Sequence, residues 1–320
     1  MFTWLNQLND FSFNVLLLVA VIIIKILIAR IVVSEPLAFF AWYCQKLADK
    51  VNKKENNISQ QKISGTIATL ITLVPMVIIL WLFADFITVT WLWQSLLLYF
   101  ALGDFQLNRK VKDIVQALNT KQNHLAKQQL KPLVLREVES LSTMGLAKTT
   151  IEMQLLRYLQ SYFIIASYFL VFGSLSAFFV RLVLIMHYSW NVKQLEFQYF
   201  GRFTALIFTL IQWLPIRVFS LLMLISSLGS QFISLVKLYK QHCFKLNNDI
   251  VIALLAKMLA VKLAGVAIYN QQKVRRTSFN NSAPQPNIDD IIRANKIIHQ
   301  LFYFSLALTI LVTILTLLIH

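Results

Sequence analysis

Residues 64–84 read SGTIATLITLVPMVIILWLFA, a run of 21 residues without Asp, Glu, Lys or Arg. A helix of about 20 apolar residues, rising about 1.5 Å per residue, is long enough to cross the hydrocarbon core of a bilayer. The stretch therefore predicts a transmembrane helix and a membrane protein. The composition agrees, because 58% of the 320 residues are hydrophobic and only 14% are charged, which is unusual for a soluble domain.

Several further segments have the same apolar character. The other uncharged runs are 86–103, 158–180, 218–236 and 297–320. The first apolar segment, 11–33, carries Lys25 and Arg30 in its second half, where long basic side chains can extend to the membrane interface. The sequence thus predicts an all-α polytopic transmembrane helical bundle of about six spans, forming a single integral membrane domain over 1–320.

Basic residues are concentrated in alternate loops. Three segments, 34–63, 104–158 and 236–297, hold 24 of the 30 Lys and Arg residues, whereas 187–202 holds two. Because basic loops favour the cytoplasmic face, this bias predicts a bacterial inner-membrane protein with those three segments in the cytoplasm. Segment 187–202 and both termini are then periplasmic. Topology and anionic lipids account for the net charge of +16, so membrane lipids are the expected partners and nucleic acid is not.

The cytoplasmic segments contain helical patterns. Apolar residues recur every three or four positions over 111–118, which indicates an amphipathic helix. Residues 250–264 are apolar except for two lysines and are too short to span comfortably, which favours a docked or interfacial helix. Residues 273–290 are polar and contain proline, so they predict a flexible linker.

Two predicted helices are longer than a bilayer requires. Thr149-x-x-Glu152 has the spacing of a capping box, which predicts that a long fourth helix begins here. If that helix continues over 152–187, it is about 54 Å long and must tilt, bend or protrude, with Gly173 as a bend point. A fifth helix is predicted over 203–236.

Residues with obvious chemistry are sparse. Cys44 and Cys243 cannot form a disulfide framework, and the five His residues lack metal-ligand spacing. None of the seven glycines forms a GxGxxG or GxxxxGK motif. The sequence therefore predicts no catalytic residue, no metal site and no cofactor.

Charged residues within the apolar runs suggest where a ligand would bind. Arg217 follows Pro215, which can kink the helix, and a charge at mid-membrane depth needs a partner or a wet cavity. Asp85 and Arg181 are both placed near the periplasmic side, where they could pair. The candidate ligand-binding residues are Asp85, Arg181, Gln212 and Arg217. A purely structural role, in which the arginines bind carbonyls and tie helices together, is the alternative.

A motif around residue 210 resembles a known family. Tyr199-Phe200-Gly201, followed by IQWLPIR at 211–217, is similar to a motif of the AmpE inner-membrane proteins. These are similar in turn to the CbiB/CobD adenosylcobinamide-phosphate synthases. The resemblance covers 199–218 well and 95–320 loosely. It implies a non-catalytic signalling or regulatory protein linked to β-lactamase induction and cell-wall recycling, with a soluble cell-wall amidase of the AmpD type as a partner.

The acidic residues of the synthases are missing at the matching positions. Where the synthases carry paired aspartates before a Pro-x-Arg, this chain has Gln212 and Trp213, and LVLI follows Arg181. Without carboxylates there, Mg²⁺ would lack ligands to hold it against a phosphate, which disfavours a synthase. The alternatives are a CbiB/CobD-like membrane synthase of cobalamin assembly and a lipid or muropeptide transporter with Arg217 in a wet cavity.

Overall fold

The protein is built almost entirely of helices, as the computed structural model shows for residues 9–29, 36–53, 55–103, 105–229 and 232–319. The prediction of an all-α polytopic membrane protein is confirmed. The helices are α1 Asp10–Ile28, α2 Ala38–Val51, α3 Ile58–Ala84, α4 Thr90–Ala101, α5 Leu107–Asn119, α6 Asn123–Leu130, α7 Thr143–Tyr158, α8 Ile164–Phe172, α9 Ser174–Ser189, α10 Arg202–Ser226, α11 Phe232–His242, α12 Asn248–Leu259 and α13 Ile288–Ile319. Two short antiparallel pairs complete the described elements, β1 Leu263–Ala264 with β4 Ser278–Phe279 and β2 Ala267–Tyr269 with β3 Gln272–Val274.

Five helices in the described ranges are long and apolar enough to cross a membrane. They are Asp10–Ile28, Ile58–Ala84, Thr143–Phe172, Arg202–Ser226 and Ile288–Leu318. The run 86–103, predicted as a full span, is helical only over the 12 residues of α4, which extend about 18 Å. In Thr143–Phe172 the uncharged run begins at Tyr158, so the charged residues of α7 precede the apolar part.

Packing divides the chain into two compact units. Unit 1 comprises Met1–Phe105, Gln160–Gln212 and Ala307–His320, and unit 2 comprises Gln106–Leu159 and Trp213–Leu306. The sequence predicts one membrane domain over 1–320, and that boundary stays a prediction. Each unit has buried apolar residues of its own, so each is described separately.

Helix α9 is the centre of unit 1. It packs against α2, α3, α4 and α8. Its apolar side chains are buried on nearly every side, unlike those of a helix with one lipid-facing surface; they include Ala177, Phe178, Val180, Leu182, Val183, Leu184 and Met186. The apolar character of this segment therefore reflects protein packing as well as a membrane environment.

Lys25 of α1 is buried in unit 1. Its ammonium donates to the carbonyl oxygen of Tyr99 at 2.6 Å and to that of Leu102, at the end of α4. These carbonyls have no partner within their own helix because they belong to its last turn. The expectation that Lys25 extends to the interface is therefore wrong, since backbone acceptors satisfy it inside the protein. Arg30 lies outside the described residues.

The predicted long fourth helix is instead a helical hairpin. Gly173, at φ 82°, separates α8 from α9, and Ser176 donates to the carbonyl oxygen of Tyr168 across the turn. The Tyr188 hydroxyl donates to Gln160 Oε1 at 2.6 Å. In one continuous helix these two residues, 28 positions apart, would be about 42 Å from each other. The chain therefore reverses at Gly173, where a left-handed backbone favours glycine.

This hairpin returns the chain to the face that carries the loop before α3. Trp190 Nε1 donates to the carbonyl oxygen of Cys44 at 2.9 Å, and Asn52 Nδ2 donates to that of Glu196 at 2.8 Å. The prediction that 187–202 and 34–63 lie on opposite sides of the membrane is therefore wrong. The distribution of basic residues gave the wrong side for 187–202 because the segment 158–187 was counted as one crossing, whereas it folds back at Gly173.

Unit 2 is organised around α7 and α12. Residues 250–256 of α12 are nearly inaccessible, so 250–264 is docked on protein rather than lying in the membrane interface. Helix α7 begins at Thr143, and Ser142 Oγ accepts a hydrogen bond from the Gly145 amide. The predicted capping box at Thr149 and Glu152 is therefore wrong.

Two further segments differ from prediction. The expected helix over 203–236 ends at Ser226, and a new helix, α11, begins at Phe232. Gly229, close to this break, is unfavourable inside a helix. The segment 273–290, predicted as a linker, contains the end of β3, strand β4 and the start of α13. Strand pairing accounts for the difference, because its hydrogen bonds order residues whose composition is polar.

Candidate functional site

A buried carboxylate in α7 is the most unusual feature of unit 2. Glu152 is only 3% exposed. Its Oε2 accepts hydrogen bonds from Arg136 Nη2 at 3.1 Å and from Arg276 Nη2 at 3.0 Å, and its Oε1 accepts one from the Ala264 amide at 2.9 Å. We call Glu152, Arg136 and Arg276 the Glu152 centre. A buried charge is stable only when it is paired and hydrogen-bonded, and all three groups meet that condition.

Three separate segments bring the Glu152 centre together. Arg136 follows the turn after α6, Glu152 faces inward from α7, and Arg276 lies between β3 and β4. Arg276 Nε also donates to the carbonyl oxygen of Gly265, at 3.3 Å. The centre therefore joins the two strand pairs to α7 and orients two guanidinium groups.

The electrostatics of the two arginines differ. Burial acts to lower the pKa of Arg276, but the Glu152 carboxylate, together with Tyr269 and Asp249, raises that pKa above its ordinary value. Burial is the larger effect at Arg136 and lowers its pKa, despite the same carboxylate. Arginine titrates far above neutrality, so both groups remain cationic at physiological pH.

The side chains of this region do not fit a magnesium ion. Mg²⁺ prefers carboxylate oxygens, usually together with waters and substrate phosphates. Two guanidinium groups and a backbone amide already occupy the Glu152 carboxylate. No group of three acidic, His or Cys side chains suited to a metal occurs among the described residues.

Arg217, a predicted ligand-binding residue, is bound by backbone and amide oxygens within unit 2. Its Nη1 donates to the Trp213 carbonyl at 2.9 Å and to Asn247 Oδ1 at 2.8 Å. Its Nη2 donates to the carbonyl oxygens of Cys243 at 2.8 Å and Leu246 at 3.1 Å. These contacts tie α10 to the turns after α11, which fits the structural alternative. A ligand-binding role for Arg217 stays a prediction.

The structure does not bring together the other predicted site residues. Asp85 is exposed at the end of α3, whereas Arg181 is buried in α9, and no ion pair joins these two described residues. The expected pairing failed because Arg181 lies midway along the returning arm of the hairpin. Gln212 is 4% exposed on α10. Ligand binding by Asp85, Arg181 and Gln212 stays a prediction.

Sequence reasoning did not identify the Glu152 centre. Glu152 fitted a helix-capping pattern, and the two arginines counted only as basic loop residues. One signal was present in the sequence. Glu152 is the single acidic residue between Glu139 and Glu196. Acidic side chains are almost never fully buried unless they are paired.

Comparison with known proteins identifies relatives along most of the chain. A family model described as CobD/Cbib protein matches residues 17–298. The Cobalamin biosynthesis protein CobD of Chromobacterium violaceum is 26% identical over 261 residues, which cover 82% of this chain and 83% of the relative. Proteins of the same name from Stutzerimonas stutzeri and Leptospira interrogans are 25% identical over 255 residues and 24% identical over 265 residues. Each alignment covers 79% of this chain, and they cover 83% and 84% of those relatives. No solved structure matches the chain.

These relatives contradict the interpretation of the chain as an AmpE-type regulatory protein of β-lactamase induction. They support the CobD/CbiB-like alternative instead. The motif at 199–217 was too short to separate two families that resemble each other, whereas the family match extends over both units. The AmpD-type amidase partner stays a prediction that neither the fold nor the relatives test.

Proposed function

The chain belongs to the CobD/CbiB family, and we propose that it acts in cobalamin biosynthesis as a multi-pass protein of the bacterial inner membrane. The observation that carries the proposal is the family match over residues 17–298, which includes parts of both units and the whole Glu152 centre. Its relatives named for cobalamin biosynthesis support the same role.

We place the functional site at the Glu152 centre of unit 2. Its support is physical: two guanidinium groups are held at fixed positions by a buried carboxylate, and fixed donors bind a ligand with little loss of conformational freedom. A magnesium-dependent step is not part of the proposal. The Glu152 carboxylate is occupied by arginine. The motif resemblance implies acidic residues in the synthases at the positions that Gln212 and Trp213 hold here.

The orientation in the membrane is part of the proposal. Segments 34–63, 104–158 and 236–297 carry most of the basic residues, and such segments favour the cytoplasmic face. Segment 187–202 contacts 34–63 and is therefore assigned to that face as well. Because 236–297 is assigned to the same face, this orientation requires that α10 does not make one complete crossing. The Glu152 centre would then face the cytoplasm, where a soluble substrate reaches it.

Complementation tests the function. The chain would be expressed in a bacterium that lacks its own CobD-type gene, and cobalamin formation would be measured by cobalamin-dependent growth and corrinoid analysis. We expect the unmodified chain to restore formation and Glu152→Gln to abolish it, because neutral Gln cannot hold two arginines. Glu139→Gln is the matched control, since Glu139 pairs with Lys131 at the surface.

Membrane abundance is measured for every variant by immunoblotting. Failure of an abundant, membrane-inserted unmodified chain to restore cobalamin would contradict the proposed function. Full activity of Glu152→Gln would leave the function standing but reject the Glu152 centre as its site.

A further inference from the structure

The uncharged run 218–236 does not form one straight helix. Arg217, just before it, donates from Nη2 to the carbonyl oxygen of Cys243 at 2.8 Å. In one continuous helix these two residues, 26 positions apart, would be about 39 Å from each other. The chain therefore reverses between α10 and α11, where the Phe232 amide donates to the carbonyl oxygen of Gly229 at 3.1 Å.

Neither arm of this reversal is long enough to cross a membrane. We call residues 217–229 and 232–243 the α10–α11 hairpin. At about 1.5 Å per residue, its arms extend at most about 20 Å and about 18 Å, whereas the hydrocarbon core is about 30 Å thick and a bilayer with its headgroups about 40 Å. A hairpin of this length that starts at the membrane surface ends near the middle of the bilayer.

Aromatic contacts within unit 2 place the open end of the hairpin at the membrane surface. The ring centroid of Tyr158 lies 5.8 Å from that of Phe219 and 6.2 Å from that of Phe302. Tyr158 begins one long uncharged run, and Phe302 lies near the start of another. Phe219 is therefore at the level where two apolar helices enter the membrane, and Arg217 is two residues away from it.

Beyond this level, one flank of the hairpin is apolar and exposed. Leu221, Ile225 and Leu228 of α10 follow one another at intervals of three or four residues, so they share one side of the helix. Ile233, at the start of α11, is 70% exposed. A continuous apolar surface of this kind on a protein marks a contact with lipid or with another protein.

The polar side chains near the turn do not need water. The Ser226 hydroxyl donates to the carbonyl oxygen of Met223 at 2.9 Å, and the Ser227 hydroxyl donates to that of Leu224 at 2.8 Å. Inside a bilayer, polar groups must find their hydrogen-bond partners within the protein. Both hydroxyls meet that condition at the closed end of the hairpin.

The open end of the hairpin is basic and aromatic instead. Lys237 and Lys240 of α11 and Lys245 just after it are exposed. Trp213 and Phe244 are exposed as well, with ring centroids 6.5 Å apart. Lysine attracts anionic headgroups, and tryptophan favours the membrane interface. One leaflet fits this distribution better than a second copy of the chain, because a two-fold dimer through the hairpin would set these lysines against each other.

We propose that the α10–α11 hairpin is a re-entrant membrane anchor. It enters the leaflet on the side of 236–297 and returns to that side, with acyl chains around its apolar flank and anionic headgroups at its lysines. The inference rests on the orientation given under the proposed function and deepens it, because it explains how α10 avoids a complete crossing. It also places Arg217 at the membrane surface and not at the centre.

Spin labelling measures the depth of the hairpin. Leu228→Cys and Lys245→Cys are each introduced into a chain with Cys44→Ala and Cys243→Ala, labelled with a nitroxide and placed in nanodiscs that contain phosphatidylglycerol. The label at 228 should be relaxed more by dissolved oxygen than by a water-soluble nickel complex, because oxygen concentrates in hydrocarbon. The label at 245 should show the opposite ranking.

Thiol labelling tests which side the hairpin returns to. The membrane-impermeant reagent is applied to intact cells and to inverted membrane vesicles. Lys245→Cys should react only in the vesicles, as should Lys50→Cys in the basic segment 34–63. Leu228→Cys should react in neither until detergent is added.

Lipid selectivity tests the role of the lysines. The unmodified chain should immobilise more spin-labelled phosphatidylglycerol than spin-labelled phosphatidylcholine. Replacing the three lysines at the open end by glutamine should lower this preference, in the variant Lys237→Gln, Lys240→Gln and Lys245→Gln. The matched control replaces three other exposed lysines of unit 2 and should lower it less, in the variant Lys112→Gln, Lys121→Gln and Lys131→Gln.

Three results would overturn the inference, each obtained with variants whose thermal unfolding shows that they are folded. A label at 228 that the nickel complex reaches, or a thiol there that reacts on intact cells, would mean a complete crossing. Low accessibility to both oxygen and nickel, with disulfide-linked dimers of Leu228→Cys, would assign the flank to a second copy. Equal loss of lipid preference in the two lysine variants would reject the anionic headgroups.

The proposed function is tested separately, because none of these measurements uses cobalamin formation. A chain that restores cobalamin but exposes position 228 to water rejects only the re-entrant hairpin. A chain with position 228 in lipid that fails in complementation rejects only the proposed function.

Discussion

Buried charges in this protein are satisfied by groups far away in the sequence. Lys25 donates to carbonyl oxygens at the end of α4, Glu152 accepts from two arginines and an amide, and Arg217 donates to three carbonyls and an asparagine. A buried polar group that loses its partners costs more free energy than an exposed one, because water cannot replace them. Each of these residues therefore has a structural contribution that variants must separate from any function.

Arg217→Met should destabilise the protein. The substitution leaves the carbonyls of Trp213, Cys243 and Leu246 without their donor, and we expect the free energy of unfolding to fall by about 1–3 kcal/mol. Thermal unfolding in detergent measures the change. Arg202→Met is the control, because Arg202 is exposed at the start of the same helix. An Arg217→Met protein with an unchanged melting temperature and no cobalamin formation would contradict the structural role.

The hairpin of α8 and α9 gives the chain a different path from that of one long helix. Close packing holds its returning arm in unit 1. Gly65 of α3 approaches the backbone of Phe200 so closely that a Cβ atom would lie 2.0 Å from the Phe200 carbonyl oxygen. A glycine is required at this approach, because no side chain fits against backbone. The segment after the hairpin is thus held against the first turns of α3.

Cysteine labelling tests this arrangement. Lys50→Cys and Leu195→Cys introduce exposed thiols into the two segments that the hairpin brings together, and Phe86→Cys introduces one beyond the far end of α3. With a membrane-impermeant thiol reagent on intact cells, positions 50 and 195 should behave alike and position 86 oppositely. The native cysteines, Cys44 and Cys243, are buried and should contribute little background.

A single crossing by the segment 158–187 predicts a different labelling pattern. Position 195 would then label together with position 86 and not with position 50. That result, obtained with variants present at normal abundance, would contradict the hairpin.

For the whole molecule, apolar surface determines where the protein resides. In the most apolar 18-residue stretch of Ile288–Leu318, only 11% is buried inside the protein. In the corresponding stretch of Ile58–Ala84, 22% is buried. Apolar surface of this extent is unstable in water and requires lipid. The net charge of +16 adds an attraction to anionic lipids, but that attraction is weakened by salt.

Membrane extraction separates these two contributions. We expect the protein to remain in the membrane fraction after treatment with concentrated salt and with alkaline carbonate, and to be released by detergent. Immunoblotting of pellet and supernatant measures the result. Release by salt alone would mean that charge holds the protein at the surface and would contradict spanning helices.

The membrane class and the positions of most helices follow from the sequence by itself. Long uncharged runs such as 64–84 need no tertiary information, because a helix satisfies its own backbone hydrogen bonds and its apolar side chains require lipid or protein around them. The amphipathic pattern over 111–118 likewise predicts α5, whose residues Val111, Ile114 and Leu118 are buried. These features depend on residues close together in the chain.

Only the tertiary structure decided the path of the chain and the Glu152 centre. Hydropathy is the same for one long helix and for a hairpin, so 158–187 was ambiguous until the hydrogen bond between Gln160 and Tyr188 showed the reversal. The two arginines that bind Glu152 lie 16 and 124 positions from it. Local periodicity carries no information about such pairings, because folding brings them together through packing between distant segments.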